Sequence, residues 1–339
     1  MIRKVGRQGP KTLGISLPSK WIKKYSIVKG SELHITELHD QLLIKRGKST
    51  LQKQVSDVKI EGCDKRHIRL LINNAYRGGI DKLKVLFANP KVYDEVKHIT
   101  THFLLGFEVT KKGQDYCLVE NIAEPEEDKY EIILRRIFLT IIETSEITIS
   151  ALSRASAKSR LVISERAQEH APSAVLDSSE LTLKSLETKE SCFESVVELT
   201  YQVGRYDNFC KRNIAKGLYG MKKSYFYYLL NNYLLLIQHS FWHLHEYLRS
   251  KHFKVDNKLL SFAKDTDNLF KLFYKSFYNK TIPDMSKVNS AMESLIYKKA
   301  YQLFNDKSSD KVIIYHLSDI IRNTHLACSP ALGILLEDR

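Results

Sequence analysis

The chain has 339 residues, of which 43% are apolar, and its formal net charge is +14 with a pI near 9.3. This composition excludes an intrinsically disordered chain and favours a polyanionic partner. The five cysteines are odd in number, widely scattered and form no CxxC pair, so neither a zinc ribbon nor a disulfide framework is supported. No apolar leader opens the chain, and polar residues interrupt its most apolar stretch, residues 225–241. We therefore expect a cytoplasmic protein without membrane insertion.

Basic residues are concentrated in the first fifty positions, where eleven lysines and arginines stand against three acidic residues. The alternation of apolar and small residues over 13–17 predicts a strand, and residues 18–25 predict one short helical turn. Lys29-Gly30 predicts a turn, and residues 33–35 and 42–44 predict two more strands. A piece this small cannot bury a core of its own, so we expect it to pair with a second copy.

Residues 55–122 alternate between strand and helix patterns. The expected order is strand, helix, strand, helix and a final hairpin, which predicts a small α/β (βαβαββ) domain. The predicted strands cover 58–60, 83–87, 107–110 and 117–119, and the predicted helices cover 65–76 and 92–105. The acidic run Glu124–Asp128 then predicts an exposed linker.

From residue 129 onward the apolar spacing is helical throughout. Breaks at Gly217, Pro283 and Ser308-Ser309 divide this part into about six helices, which predicts an all-α bundle. After the first helix from 129, the expected helices cover about 180–215, 222–250, 257–280, 285–305 and 311–327. The sequence thus predicts a multi-domain α+β protein with domains at 1–50, 55–122 and 129–337.

The first fifty residues resemble the AbrB/SpoVT family of swapped-hairpin DNA-binding modules. The matching features are Arg3-Lys4-Val5, Ser16-Leu17-Pro18, the turn 20–24, Val28–Leu33 and the closing Leu42-Leu43-Ile44. The resemblance implies a homodimer in which two chains interlace their hairpins and bind double-stranded DNA. The implied DNA contacts are Arg3, Lys4, Arg7 and Lys11 on the arm, and Lys20, Lys23 and Lys24 on the turn. The alternative is a basic surface without a ligand.

The remainder resembles archaeal phosphate uptake regulators, in which such a module is fused to a PhoU-like helical domain. The matches are short: Arg69–Ile72, Leu105–Val109, Leu134–Phe138, Asn208–Arg212 and Tyr227–Leu229. The resemblance implies a transcriptional regulator linked to phosphate homeostasis, and a possible protein partner on the bundle.

PhoU domains bind metal clusters through acidic pairs one helical turn apart. Here Glu198 is followed by Thr200, Tyr201 and Gly204, and no Asp or Glu stands between Asp207 and Glu246. We therefore expect the family's metal site to be absent and no cofactor to be required.

His239 and His243, four residues apart on one helix, could share a zinc or nickel ion. The alternative is that both histidines are amphipathic packing residues. No third ligand is identifiable from spacing, so we expect no metal here either.

No Gly-rich phosphate loop, GxSxG elbow or HExxH motif occurs, so we expect a regulator and not an enzyme. One alternative is an adaptor that binds and regulates a phosphate transporter, with DNA binding secondary. Another is an enzyme with a site assembled within the α/β segment.

Overall fold

The computed structural model describes residues 2–10, 12–38, 41–46, 54–62, 64–125, 129–167, 178–217, 220–250 and 253–337. It is a mixed α+β protein with small sheets and a helical C-terminal region, which confirms the predicted fold class at that level. The chain divides into two compact units, Met1–Gln54 and Val55–Arg339.

The first unit contains two short antiparallel strand pairs and one short helix. β1 (Gly6–Arg7) pairs with β2 (Leu13–Gly14), and β3 (Leu33–Leu38) pairs with β4 (Gln41–Arg46). Helix α1 (Ser19–Lys24) follows β2 and precedes β3 in the sequence. The strand predicted over 13–17 is shorter than expected. It covers only Leu13 and Gly14, the two residues that pair with β1.

The second unit begins with a four-stranded sheet in the order β5-β6-β8-β7. Its elements follow the predicted sequence of strand, helix, strand, helix, strand and strand. β5 and β6 are parallel, as a helical crossover allows, and β8 pairs antiparallel with β6 and with β7. The bounds are β5 (Val55–Ile60), α2 (Lys65–Arg77), β6 (Lys82–Phe87), α3 (Lys91–Phe103), β7 (Phe107–Lys112) and β8 (Tyr116–Asn121).

Apolar side chains of α2 and α3 cover one face of this sheet. Ile72, Val96 and Ile99 from the helices are buried in one cluster with Val85 and Cys117 from the strands. The alternation of strand side chains therefore leaves every second residue of each strand on the opposite face.

The helical region packs around a second, larger apolar core. Its helices are α4 (Tyr130–Ala167), α5 (Ser178–Ala215), α6 (Gly220–Ser250), α7 (Asn257–Tyr278), α8 (Ile282–Glu293), α9 (Tyr301–Asn305) and α10 (Lys311–Glu337). A π-helical turn, Ser294–Ala300, joins α8 to α9. No helix in the described ranges is both long and apolar enough to cross a bilayer.

The last predicted helix end, at 327, is wrong. α10 continues through Pro330 to Glu337, although an internal proline removes a backbone hydrogen bond. Ala331, Ile334 and Leu335 are buried in the helical core, and this apolar burial compensates for the lost bond.

Helix α5 joins the α/β layer to the helical core through the buried guanidinium of Arg212. Its Nε donates to Glu124 Oε1 at 2.7 Å, and its Nη1 donates to the carbonyls of Tyr76 (2.8 Å) and Ile80 (2.9 Å). Its Nη2 pairs with Asp81. Buried charge is tolerated only where such partners satisfy it.

A second polar group lies one turn earlier on α5. Arg77 at the end of α2 donates to Asn208 Oδ1 at 2.6 Å and to Asp207 Oδ2 at 3.2 Å. Lys211 donates to the same Asp207 Oδ2 at 2.9 Å, and Asn208 donates to the Phe103 carbonyl at 2.9 Å. Both helices of the α/β layer are therefore hydrogen-bonded to α5.

The prediction of an exposed acidic linker is wrong for Glu124. Its side chain is 10% exposed because it pairs with Arg212, and its Oε2 also lies 3.3 Å from Lys216 Nζ. Residues 126–128 of the predicted linker lie outside the described residues.

Replacing Arg212 with Met should lower the free energy of unfolding by about 3–5 kcal/mol, because Asp81 and Glu124 lose their main counter-charge while remaining buried. Denaturant unfolding followed by circular dichroism measures this. Arg249→Met is the control, since Arg249 forms ion pairs with Glu190 and Glu246 at the surface and should matter little. Equal losses of unfolding free energy in the two variants would contradict the role of Arg212 as the buried counter-charge of Asp81 and Glu124.

Candidate nucleic-acid interface

The arm and the short helix of the first unit present the predicted basic residues. Arg3 and Lys4 precede β1, and both are exposed. Arg7 ends β1, and its guanidinium donates to the carbonyls of Gly9 and Pro10, each at 3.3 Å. These backbone contacts hold the Arg7 side chain beside the turn. Lys11 lies outside the described residues.

Helix α1 carries three exposed lysines on one face, because Lys20, Lys23 and Lys24 are separated by three and four residues. Trp21 and Ile22 on the remaining surface are half-buried. Lys23 and Lys24 lie in the last turn, where the helix dipole favours cations.

Six described cations of this unit, all on the arm or on α1, are uncompensated. No carboxylate in the described part of the chain lies within 4 Å of them. Such uncompensated positive charge attracts polyanions. The six are Arg3, Lys4, Arg7, Lys20, Lys23 and Lys24.

The described residues of the first unit form no core within one chain. None of its described side chains falls in the buried class. Seven apolar side chains are more than half exposed: Ile2, Val5, Leu13, Ile15, Val28, Ile35 and Leu42. A folded unit with this much exposed apolar surface normally buries it against another surface.

The positions where the PhoU resemblance would expect carboxylates contribute to packing instead. Thr200 on α5 accepts a hydrogen bond from Gln238 Nε2 of α6 at 3.0 Å. The Tyr201 ring contacts the Phe103 ring of α3 edge-on, with centroids 5.2 Å apart. Gly204 lies beside the same Phe103, close enough that a methyl group at this position would contact the ring. This face of α5 therefore packs against the α/β layer and the bundle interior.

Glu198 lines an open groove of about 960 Å³ along α5, together with Glu143 and Glu194. Among the residues that the structure describes, no three His, Cys, Asp or Glu side chains converge in a metal-binding geometry.

His239 and His243 are exposed on successive turns of α6. The His243 ring packs beside Trp242, with centroids 4.7 Å apart, and lies 6.2 Å from the His316 ring of α10. A metal shared by His239 and His243 would have no third protein ligand among the described side chains.

The bundle interior contains a ladder of neutral polar groups that sequence reasoning missed. Thr140, Thr144 and Thr148 on α4 face Gln202 of α5 and Gln238 and His245 of α6. Threonines four residues apart form no recognised motif, and their partners lie about 60 to 100 positions away. Only the spacing of the threonines themselves could have indicated the ladder.

His245 ends this ladder and is held neutral. Thr148 Oγ1 lies 2.8 Å from the Thr144 carbonyl oxygen and forms a hydrogen bond of 2.9 Å with His245 Nε2. Burial lowers the pKa of His245 from 6.5 to about 4, because the imidazolium would be desolvated without an anionic partner.

No protein-family model matches the chain, and neither curated proteins nor solved structures give a significant match.

The neutral state of His245 predicts acid sensitivity. Between pH 6.5 and 4 the unfolded chain binds a proton at this position and the folded chain does not, so stability falls as the pH falls through this range. The loss of unfolding free energy caused by His245 reaches about 3 kcal/mol. Between about pH 7.5 and 4, the unfolding free energy of the wild type should therefore fall more steeply than that of His245→Gln. Parallel pH profiles of the two proteins would contradict the conclusion that folded His245 is buried and neutral.

Proposed function

We propose that the chain is a DNA-binding transcriptional regulator, not an enzyme, and that its first unit binds double-stranded DNA as a homodimer. The observation that carries this proposal is the set of six exposed, uncompensated cations on the arm and on α1. Lysines and arginines spread over a small surface neutralise phosphates and release counterions, which supplies affinity with little sequence choice.

The exposed apolar side chains of the first unit support the dimer. Leu13 on β2 and Ile35 on β3 are 70% and 58% exposed in one chain. A second copy offers the same apolar surface and is always present at equal concentration. A two-fold arrangement would also place two copies of the basic arm on one DNA duplex. The resemblance to AbrB/SpoVT modules implies the same assembly.

The link to phosphate homeostasis rests on the resemblance of the helical region to PhoU-like domains. In our proposal the bundle receives its signal from a protein partner, without a metal cofactor, and the regulator acts in the cytoplasm. Tyr225, Leu229 and Leu236 form an exposed stripe on α6, at 54%, 41% and 45% exposure.

This stripe also supports the second candidate, an adaptor that regulates a phosphate transporter, because exposed apolar patches mark protein interfaces. Co-purification of wild type and of a Leu229→Asp, Leu236→Asp variant with membrane transport components tests the adaptor. Retention of a transporter by wild type alone would favour it.

Replacing Arg3, Lys4 and Arg7 with Ala should weaken binding of full-length protein to a DNA duplex at least tenfold. The slope of log K against log salt should fall by about 0.9 for each phosphate contact removed. Fluorescence anisotropy over a salt series measures both quantities. The control removes the same charge at exposed lysines of the bundle, Lys264, Lys275 and Lys298. If the control weakens binding as much as the arm variant, the first unit is not the DNA reader.

Replacing Leu13 and Ile35 with Asp should convert the dimer to a monomer in sedimentation equilibrium and weaken duplex binding in parallel. The charged side chains would be buried without partners at the dimer contact. Leu236→Asp on α6 is the control and should leave the dimer intact. A wild-type chain that sediments as a monomer at micromolar concentration would refute the dimer.

A further inference from the structure

The sheet of the second unit has one face that its own helices do not cover. Side chains that alternate with the buried ones point to this face, and none of them is buried. In the register of the ladders, Lys84 and Leu118 are direct partners, and Lys111 lies on the other side of Leu118. Leu86 and Tyr116 form the neighbouring pair. We call this surface, made by Lys84, Leu86, Lys111, Tyr116 and Leu118, the open sheet face.

The Tyr116 ring lies between two cations. Lys84 Nζ is 5.0 Å and Lys111 Nζ is 5.9 Å from the ring centroid. Gly113 in the hairpin turn donates its N–H to the Tyr116 carbonyl at 2.8 Å, and a side chain at Gly113 would collide with the ring. The hairpin therefore fixes the ring in place beside the two lysines.

These two lysines have no acidic partner, in contrast to their neighbours. Lys59 pairs with Glu61 at 2.6 Å, and Lys82 pairs with Glu120 at 3.0 Å. Asp57 stands opposite Lys84 in the ladder, yet no described carboxylate comes within 4 Å of Lys84 or Lys111. The positive charge beside the ring is thus left for an external anion.

We propose that the open sheet face binds single-stranded nucleic acid, with a base on Tyr116 and the flanking phosphates on Lys84 and Lys111. An aromatic ring between two cations matches the repeat of base and phosphate along a single strand. Four-stranded sheets that carry aromatic side chains bind unpaired bases in this manner. A duplex does not fit, because its bases are stacked on each other and cannot stack on the ring.

Charge decides against an apolar protein occupant. A partner that covered Leu86 and Leu118 by apolar contact would desolvate Lys84 and Lys111 without neutralising them, which costs free energy. A polyanion gains from the same two lysines. A weak cation–π contact with Tyr116 is exchanged for a charge-assisted bond to phosphate. This inference goes beyond the proposed function, because it concerns another unit and another form of nucleic acid.

The experiment measures binding of a fluorescein-labelled oligothymidylate by anisotropy. It uses the full chain with Arg3, Lys4 and Arg7 replaced by Ala, so that the first unit contributes little. Adding Lys84→Ala and Lys111→Ala should weaken binding at least tenfold. Adding Tyr116→Leu should weaken it about tenfold, since one stacked base is lost. The matched control is Lys91→Ala with Lys97→Ala, which removes two exposed lysines of α3.

Tyr116→Trp provides a second readout that does not depend on loss of binding. Its added fluorescence should be quenched by oligothymidylate, because a base stacks on the indole. Thermal melting checks that each variant is folded; where Tyr116→Leu is not folded, the tryptophan signal decides.

Equal weakening by the Lys84/Lys111 and Lys91/Lys97 pairs, or no quenching of the added fluorescence in the Tyr116→Trp variant, overturns the inference. Duplex binding is measured in parallel. If it is insensitive to the substitutions at Arg3, Lys4 and Arg7, the proposed function fails while this inference stands.

Discussion

The second unit depends on the burial of one guanidinium. Arg212 is fully buried, and only the convergence of Asp81, Glu124 and two backbone carbonyls makes that position tolerable. These partners come from the last turn of α2, from the connection between α2 and β6, and from the segment after β8. One side chain on α5 therefore fixes two loops of the α/β layer, and the sheet and the bundle form a single unit.

The first unit is organised by the opposite constraint. Its cations have no acidic partners among the described residues, and its described apolar side chains have no core within the chain. Both deficits are relieved by the assembly that we propose, since a second copy covers apolar surface and a polyanion neutralises charge. Dimerisation and DNA binding would then stabilise the same folded state, because each ligand that binds only this state adds to its stability.

Local patterns in the sequence were enough to predict the order of elements in residues 55–122, because alternating strands and amphipathic helices carry their burial in their spacing. They failed at Glu124, where an acidic run was interpreted as solvated although a buried arginine 88 residues later pairs with it. They failed again at Pro330, because the apolar burial beyond it outweighs the lost hydrogen bond. The polar ladder that ends at His245 is likewise built from distant partners. The basic arm could be predicted from the sequence because its lysines and arginines lie close together along the chain.

The two proposed nucleic-acid surfaces differ in the physical source of their affinity. The first unit spreads six described cations over an arm and a helix, so its binding is dominated by counterion release and weakens steeply with salt. The open sheet face has two uncompensated lysines beside one ring, so stacking supplies a larger share and salt weakens it less. A regulator built this way would release duplex DNA at an ionic strength where its sheet still holds an unpaired strand. This difference in salt dependence follows from the ratio of aromatic to cationic groups on each surface, and it does not depend on the sequence of either nucleic acid.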